Sequence, residues 1–352
     1  MKKLTRHLAN TGLAVLLGGA TLSLTTIPAG ASGFTVSTIS GLSSPHSVMY
    51  DGTHLWVGNA GTTTVSEFDP STNALIRTIT IAGTVNNLWS DGTHVWVTDN
   101  ETSNLYEIDI TSGTVVNTIV AGSGTDGVYS DGTHVFVGNS GDGTVTEVDA
   151  STGVVTATLT VGAGADDPVS DGTDMWVANS SDNSVSRVNI GTGTVTATIT
   201  VGNSPDGIAV AGTHAWVANN SDNTVSEIDA ATNTVVKTIA VGAGPKDITV
   251  NGNNVWVVNS SDNTVTQIDA TTGTVISTTP VGNGPTDVAS DGTHVWVTNG
   301  DGNSMSVFQL ASTLAHTGVN TGMLLASASL LTLIGMGFVA LSRRHESEWN
   351  EA

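Results

Sequence analysis

The stretch GPKDITVNGNNVWVVNSSDNTVTQIDATTGTVISTTPVG, residues 244–282, decides the fold. It contains four short runs rich in Val, Ile and Thr, namely DITV, VWVVN, TVTQID and TVISTTPV, and the clusters NGNN, SSDN and ATTG separate them. β-Branched residues favour strands, whereas Gly, Asn and Asp favour tight turns. The stretch therefore predicts four short antiparallel strands joined by hairpin turns.

The same pattern recurs along the chain with a period of 40 residues and no insertion. Related segments such as DGTHLWVGN, DGTHVWVTD and NGNNVWVVN begin at seven positions: Asp51, Asp91, Asp131, Asp171, Ala211, Asn251 and Asp291. Four-stranded units of this length, repeated in register, are typical of propeller blades, and no helical periodicity suggests a solenoid. We therefore predict an all-β, seven-bladed β-propeller of four-stranded antiparallel blades over residues 32–311.

The two ends of the repeat region predict how the ring closes. FTVSTIS (Phe34–Ser40) matches the fourth strand of the repeat, and the last repeat stops after its third strand, MSVFQLA (Met305–Ala311). We expect the N-terminal strand to complete the last blade, because this pairing removes an open sheet edge. One aromatic residue on each second strand is expected to pack between blades. These residues are Trp56, Trp96, Phe136, Trp176, Trp216, Trp256 and Trp296.

Three segments carry a more specific likeness: SDNTVSEIDAATNTVVKTIAVG (Ser221–Gly242), GPKDITV (Gly244–Val250) and WVTN (Trp296–Asn299). They resemble the YVTN-type repeat family, which includes the YncE-like bacterial propellers and archaeal surface-layer proteins. The likeness covers about residues 34–311. It implies the propeller fold, but the family spans many roles, so it implies no single function.

The first 31 residues have the composition of an export signal. A basic start precedes an apolar stretch over residues 12–24 and the small-residue site Ala29-Gly30-Ala31. This order is typical of a secretory signal peptide, with cleavage after Ala31. The chain contains no cysteine, so an exported fold would depend on its core and topology rather than on disulfides.

The C-terminal region has three parts: a linker (312–322), an apolar run (323–341) and a tail (342–352) that contains Arg343 and Arg344. The uncharged run is long enough for one transmembrane helix, and the arginines would keep the tail cytoplasmic. The linker contains the pentapeptide Leu314, Ala315, His316, Thr317 and Gly318.

This three-part order resembles the LPxTG cell-wall sorting signal of Gram-positive bacteria, in the LAxTG form typical of actinobacteria. The resemblance implies that a sortase cleaves after Thr317 and joins it to peptidoglycan, so that the protein is anchored to the cell wall. A retained single-pass membrane anchor is the alternative.

The predicted exported part is strongly acidic. The chain has 9 Lys and Arg against 31 Asp and Glu, and removal of the two end segments leaves only Arg77, Arg187, Lys237 and Lys246 as basic residues. Such a surface repels nucleic acid and anionic membranes, since phosphate contacts dominate binding to both. Cationic partners suit it better.

Two sets of residues recur at fixed positions and are assigned to folding. The histidines His54, His94, His134, His214 and His294 share one turn position, and the aspartates Asp69, Asp109, Asp149, Asp229 and Asp269 share another. Copies spread around a ring lie too far apart to form one catalytic or metal site. We expect the histidines to make turn and strand-end hydrogen bonds, and the aspartates to form Asx-type turns.

Variation concentrates in the loop that enters each innermost strand, and in a propeller these loops surround one mouth of the central channel. The predicted ligand-binding residues are His46, Asn86, Asp126, Asp166, Asp206, Lys246, Asp247, Thr286 and Asp287. The excess of acids predicts a pocket for a cation, a polyamine, or a basic peptide or sugar. The alternative is that these aspartates only cap backbone amides at the strand starts.

We therefore predict a binding or interaction module, not an enzyme, with an unidentified extracellular ligand that is cationic or a glycan. No residue pair has the spacing of a general acid and base, no motif indicates a cofactor, and a divalent cation has no motif to support it. Two alternatives stay open. One is a metal-dependent propeller lyase or lactonase, for which the channel offers only His46 and no Glu; the other is a structural surface-layer component.

Overall fold

The computed structural model describes Val15–Leu17, Ala20–Ser23 and residues 33–310. Residues 33–310 form seven antiparallel sheets, each with four strands from the 40-residue repeat. This arrangement confirms the predicted all-β, seven-bladed propeller. The predicted sorting motif, apolar span and tail lie outside the described residues. Within the described ranges, no helix is long and apolar enough to cross a membrane.

The blades are numbered along the chain, and the strands of each are given from the innermost to the outermost. Blade 1 comprises Pro45–Tyr50, Leu55–Asn59, Thr64–Asp69 and Ala74–Thr80; blade 2 comprises Leu88–Ser90, His94–Asp99, Asn104–Asp109 and Thr114–Val120; blade 3 comprises Thr125–Ser130, His134–Asn139, Thr144–Asp149 and Val154–Thr160. Blade 4 comprises Ala165–Ser170, Asp174–Asn179, Ser184–Asn189 and Thr194–Thr200; blade 5 comprises Pro205–Ala211, His214–Asn219, Thr224–Asp229 and Thr234–Ala240; blade 6 comprises Pro245–Asn251, Asn254–Asn259, Thr264–Asp269 and Thr274–Pro280. Blade 7 comprises Pro285–Ser290, His294–Asn299, Ser304–Leu310 and Phe34–Ser40, and a 3-10 turn, Ala60–Thr62, follows the second strand of blade 1.

Blade 7 combines both ends of the propeller and is larger than predicted. Phe34–Ser40 pairs antiparallel with Ser304–Leu310 along its whole length, as expected. The sheet continues, however, because Ala20–Ser23 pairs with the outer side of Phe34–Ser40, and Val15–Leu17 pairs with Ala20–Ser23. These strands belong to the predicted signal peptide. An outermost strand has a row of unpaired backbone groups, which explains how a further hairpin can add to it.

The strands of each blade alternate in direction, so the ring has two distinct faces. All innermost strands begin on one of them, which we call the mouth face. The hairpins between first and second strands, and between third and fourth strands, lie on the opposite face, which we call the turn face. Leu310, at the end of a third strand, therefore lies on the turn face.

A repeated hydrogen-bond cluster on the turn face explains the DGTH segments. Asp51 accepts hydrogen bonds from the backbone N–H groups of Thr53 and His54 and, through its other oxygen, from Trp56 Nε1 at 2.7 Å. His54 Nε2 lies 3.5 Å from the buried Glu67 carboxylate. These contacts confirm that the recurring histidines lie in turn and strand-end hydrogen bonding. Of the recurring aspartates, Asp69 accepts the backbone N–H groups of Ser71 and Thr72 through Oδ1, as expected of an Asx-type turn.

The recurring aromatic residues pack between blades, as predicted. Trp56 is fully buried and belongs to a cluster with Val95, Val97 and Tyr106 of blade 2. Burial of one such ring stabilises the fold by roughly 4–6 kcal/mol as an upper bound. The same contact in successive blades makes the ring rigid and fixes the strand starts around the channel.

Candidate functional site

The starts of the innermost strands surround a cavity of about 320 Å³, which we call the channel mouth. All nine residues predicted from the sequence as ligand-binding line this cavity. It is lined by His46, Asn86, Asn87, Asn100, Asp126, Asp166, Asp167, Asp206, Gly207, Lys246, Asp247, Thr286 and Asp287. The structure thus brings together residues that are far apart in the sequence; Thr286, for example, donates a hydrogen bond to the backbone carbonyl of Pro45, 241 residues away.

Two aspartates of the channel mouth join neighbouring blades. Asp247 Oδ2 accepts the backbone N–H of Val288 at 2.8 Å, and Asp287 Oδ2 accepts that of Val48 at 2.8 Å. Each carboxylate therefore caps an amide at the start of the next innermost strand. For Asp247 and Asp287 the capping interpretation of the sequence is correct, because both stabilise the ring itself.

These two carboxylates also lie close to each other. The N–H of Val288 is 2.8 Å from Asp247 Oδ2 and 2.6 Å from Asp287 Oδ1, so one donor serves both. Burial, together with the nearby Asp287 charge, raises the pKa of Asp247 well above its usual range. A proton shared by the pair would relieve this repulsion.

Glycines make room for the aspartates at two blade junctions. A Cβ placed on Gly127 would lie 2.5 Å from Asp167 Oδ1, and one on Gly207 would lie 2.7 Å from Asp247 Oδ1. Both distances are shorter than any normal contact, so a side chain at either position would displace the neighbouring carboxylate. The alternation of Gly and Asp at these positions is therefore a packing requirement between blades 3 and 4 and between blades 5 and 6.

His46 and Lys246 meet across the channel mouth. Lys246 Nζ lies 3.3 Å from His46 Nε2, and His46 Nδ1 lies 2.7 Å from the Asn86 carbonyl oxygen. An ammonium group can only donate, so Nε2 accepts and Nδ1–H donates to the carbonyl. Burial and the Lys246 charge lower the pKa of His46, which agrees with a neutral imidazole.

Asp166 and Asp206 differ from the other acids of the mouth. Asp126 accepts a hydrogen bond from Asn86 Nδ2 at 2.6 Å, but no donor in residues 33–310 lies within hydrogen-bonding distance of the Asp166 or Asp206 carboxylate. Burial and the Asp126 charge raise the pKa of Asp166 well above its usual range. Burial raises the pKa of Asp206 to about 7, although Lys246 opposes the shift.

A second cavity, of about 290 Å³, lies along the innermost strands beyond the mouth, and we call it the apolar chamber. It shares four lining residues with the channel mouth: Asn87, Asp167, Asp247 and Asp287. Its remaining lining is mostly Val, Ile, Leu, Ala and aromatic residues. The sequence pattern does not reveal this chamber, because its residues follow the same strand pattern as the core.

Some lining residues were also missed in the mouth. Asn100 follows a second strand rather than preceding a first strand, and its Nδ2 lies 3.4 Å from Asn86 Oδ1. Only the topology could have identified Asn100, because the turn after a second strand lies on the mouth face. Within the described residues, no group of three or more His, Asp or Glu side chains is placed to hold a metal ion.

Comparison with known proteins supports the fold more than any function. Residues 197–333, less than half of the chain, match the family model described as "Outer membrane protein assembly factor BamB". No curated protein matches the chain. The match therefore supports a propeller repeat but gives no role to individual residues.

Three solved structures are similar over most of the propeller. Hydrazine synthase from Kuenenia stuttgartiensis is 17% identical, with 77% of this chain and 97% of that chain covered and a TM-score of 0.70. A streptogramin B lyase is 15% identical, with coverage of 79% and 98% and a TM-score of 0.68. BamB from Moraxella catarrhalis is 16% identical, with coverage of 85% and 96% and a TM-score of 0.60. Likeness at these identities shows the fold alone.

Proposed function

We propose that this chain is a cell-surface binding module whose channel mouth takes a cationic ligand: a polyamine, a basic peptide or a basic sugar. The main observation behind the proposal is the hydrogen-bonding environment of Asp166 and Asp206. Both side chains line the mouth and lack a hydrogen-bond donor among residues 33–310. Both side chains are partly withdrawn from water, and a carboxylate in such a place without a protein donor lacks the compensation that a cationic ligand would supply.

The electrostatics of the mouth favour the same class of ligand. Six aspartates line the cavity, and Lys246, the only lysine or arginine of the described residues in the lining, is engaged with His46. A concave site with low-dielectric walls concentrates such a field and speeds the capture of oppositely charged molecules. An anionic ligand would face the repulsion of the whole ring.

Attachment to the cell wall is part of the proposal and is supported by the sequence of both chain ends. Sortase would join Thr317 to peptidoglycan, after export directed by residues 1–31. Because Leu310 lies on the turn face, a chain continuing from it to Thr317 would leave the mouth face directed away from the wall. Muramidase digestion is then expected to release the protein; release by detergent alone would contradict wall attachment.

Calorimetric titration of the full chain with spermidine at pH 8 tests the binding proposal. The wild-type protein is expected to bind, and Asp166→Asn/Asp206→Asn should weaken binding at least tenfold. The matched control, Asp229→Asn/Asp269→Asn, removes the same charge from Asx turns on the turn face, where Asn can replace Asp. An equal loss in both double variants would show that net charge, and not the mouth, attracts spermidine.

A further inference from the structure

We infer that the channel binds an alkylammonium amphiphile, with its cationic head at Asp167, Asp247 and Asp287 and its single apolar chain in the apolar chamber. This inference rests on the proposed function, because it requires the channel to accept cations, and it deepens it by naming the chemical class of the ligand.

The walls of the chamber leave apolar groups accessible. Several side chains that line it are only partly buried, unlike the blade core next to them: Tyr50, Trp89, Val169, Ala209, Val210 and Val250. Apolar surface that is withdrawn from water contributes favourably to binding in proportion to its area. An apolar chain that replaced water along these walls would therefore bind favourably.

Charge is confined to one end of the chamber. Asp167, Asp247 and Asp287 line both the chamber and the channel mouth, so their carboxylates lie at the boundary between them. No Lys, Arg or His of the described residues lines the chamber. The complementary ligand thus has one cationic group followed by an uncharged apolar segment, and an anionic amphiphile is excluded by the same carboxylates.

Asp167 is the acid best placed to gain from such a head group. Burial and the charges of Asp287 and Asp206 raise its pKa well above the usual range, and the backbone amide of Ile208 offsets this only in part. Asp247 and Asp287 already cap backbone amides of the next blade. An ammonium group at the boundary would stabilise the ionised form of Asp167.

The size of the chamber limits the ligand. Its volume of about 290 Å³ is at the lower end of small-molecule sites, which run from about 300 to 1,000 Å³. A single alkyl chain fits this space, whereas a folded peptide or a two-chain lipid does not. We therefore assign the chamber to a single-chain amphiphile.

Calorimetry on the full chain at pH 8 tests this assignment with n-octylammonium, n-butylammonium, octyl sulfate and octyl glucoside. Octylammonium is expected to bind at least tenfold more tightly than butylammonium, and octyl sulfate should show no saturable binding. Equal affinity for the two ammonium ions would overturn the inference, as would equal binding of octylammonium and octyl sulfate. Because these comparisons use the wild-type chain, they do not depend on a variant that folds.

Two variants locate the head and the chain. Asp167→Asn, which keeps an acceptor for the backbone amide of Ile208, should weaken the binding of octylammonium at least tenfold. Asp229→Asn, on the turn face, should leave this binding unchanged. Octylammonium should also change the tryptophan fluorescence, and Trp89→Phe should abolish most of that change. An unaltered affinity in Asp167→Asn, or an unaltered fluorescence response in Trp89→Phe, would contradict the assignment.

The results separate this inference from the proposed function. If spermidine binds through Asp166 and Asp206 but octylammonium binds no better than butylammonium, the amphiphile inference fails and the cation site stands. If neither spermidine nor octylammonium binds, both fail.

Discussion

The two faces of the ring carry aspartates in similarly regular order, yet the surroundings of these acids are opposite. On the turn face, burial acts to raise the pKa of Asp91, but hydrogen bonds from Thr93, His94 and Trp96 outweigh it and hold the pKa below the usual value. On the mouth face, burial raises the pKa of Asp166 and Asp206, and no donor in residues 33–310 compensates.

The difference separates acids that serve folding from acids that do not. An aspartate on the turn face finds its donors within two to five residues of its own repeat, so every copy of the repeat can satisfy it. A mouth aspartate that has a donor finds it in a neighbouring blade: Val288 for Asp247, Val48 for Asp287 and Asn86 for Asp126. Asp166 and Asp206 find none among residues 33–310, and their charge is available to a ligand only because the rest of the ring tolerates their cost in stability.

Asp206→Asn should produce the largest change in stability. The raised pKa means that the folded state binds the proton more tightly than the unfolded state. Its stabilising contribution is therefore complete below about pH 3.8 and is lost as the pH rises through about 7. The raised pKa corresponds to a loss of unfolding free energy on the order of 4 kcal/mol between these two pH values.

Urea unfolding at pH 4.5 and pH 8 checks this expectation. The wild-type chain should lose stability between the two values, and Asp206→Asn should lose several kcal/mol less. Asp229→Asn, on the turn face, provides the control with the same change in charge. A pH dependence that is unchanged in Asp206→Asn would show that this carboxylate does not bear the burial cost assigned to it.

Asp91→Ala tests the opposite face. The variant leaves Trp96 Nε1 and the N–H groups of Thr93 and His94 without an acceptor, and we expect a loss of about 2–3 kcal/mol. Since the pKa of Asp91 is lowered, its contribution is present above about pH 3.8 and is lost as the pH falls through the folded-state pKa.

The measurement is the urea midpoint at pH 7 and at pH 3. The difference in urea midpoint between wild type and Asp91→Ala should shrink at the lower pH. At pH 7, Asp91→Asn should lose less stability than Asp91→Ala. A loss that is independent of pH would assign the role of Asp91 to side-chain packing rather than to its charge.

The sequence predicted the blades and the members of the channel mouth for the same physical reason. A fixed period of 40 residues places equivalent residues on equivalent strands, so the starts of the seven innermost strands had to meet at one place. The hydrogen-bond state of each acid was not predictable. It depends on contacts between blades, such as Asp247 with Val288, or across the ring, such as Lys246 with His46.

Two other features could not be obtained from pattern. Residues 15–17 and 20–23 form strands on blade 7, although their apolar composition is typical of a signal peptide, because the free edge of Phe34–Ser40 supplies the missing partners. The apolar chamber is formed by the innermost strands, whose inner edges face the channel. These strands show the same sequence pattern as strands of the core. In both cases the deciding information is a tertiary neighbour.

Gly127→Ala is expected to have a smaller effect on the mouth face. The added Cβ would lie 2.5 Å from Asp167 Oδ1 and 2.6 Å from Asp167 Cα, so the start of blade 4 must move, at a cost of about 2 kcal/mol. Gly191→Ala is the matched control, because its Cβ would meet only Asn189 Oδ1 at 3.7 Å. Equal melting temperatures for the two variants would contradict the packing role of Gly127.

Asn251→Asp should give the smallest change, and in the stabilising direction. Asn251 occupies the position of Asp51 in blade 6, but neither its Nδ2 nor the buried Trp256 Nε1 has a hydrogen-bond partner among the residues that the structure describes. The corresponding Trp56, Trp96 and Trp176 each donate to the aspartate of their own blade at 2.7–3.0 Å. A carboxylate at position 251 would give Trp256 the same acceptor and contribute about 1 kcal/mol.

Asn251→Ala distinguishes the new hydrogen bond from simple removal of the unpaired amide. Asn251→Asp should raise the urea midpoint above both wild type and Asn251→Ala at pH 7, and the gain should disappear near pH 3 as the carboxylate is protonated. If Asp and Ala stabilise equally, the cost in blade 6 lies in the amide of Asn251. Trp256 would then have no need of the acceptor that Trp56, Trp96 and Trp176 have in their own blades, and the aspartates of the turn face would owe their role to the backbone turn alone.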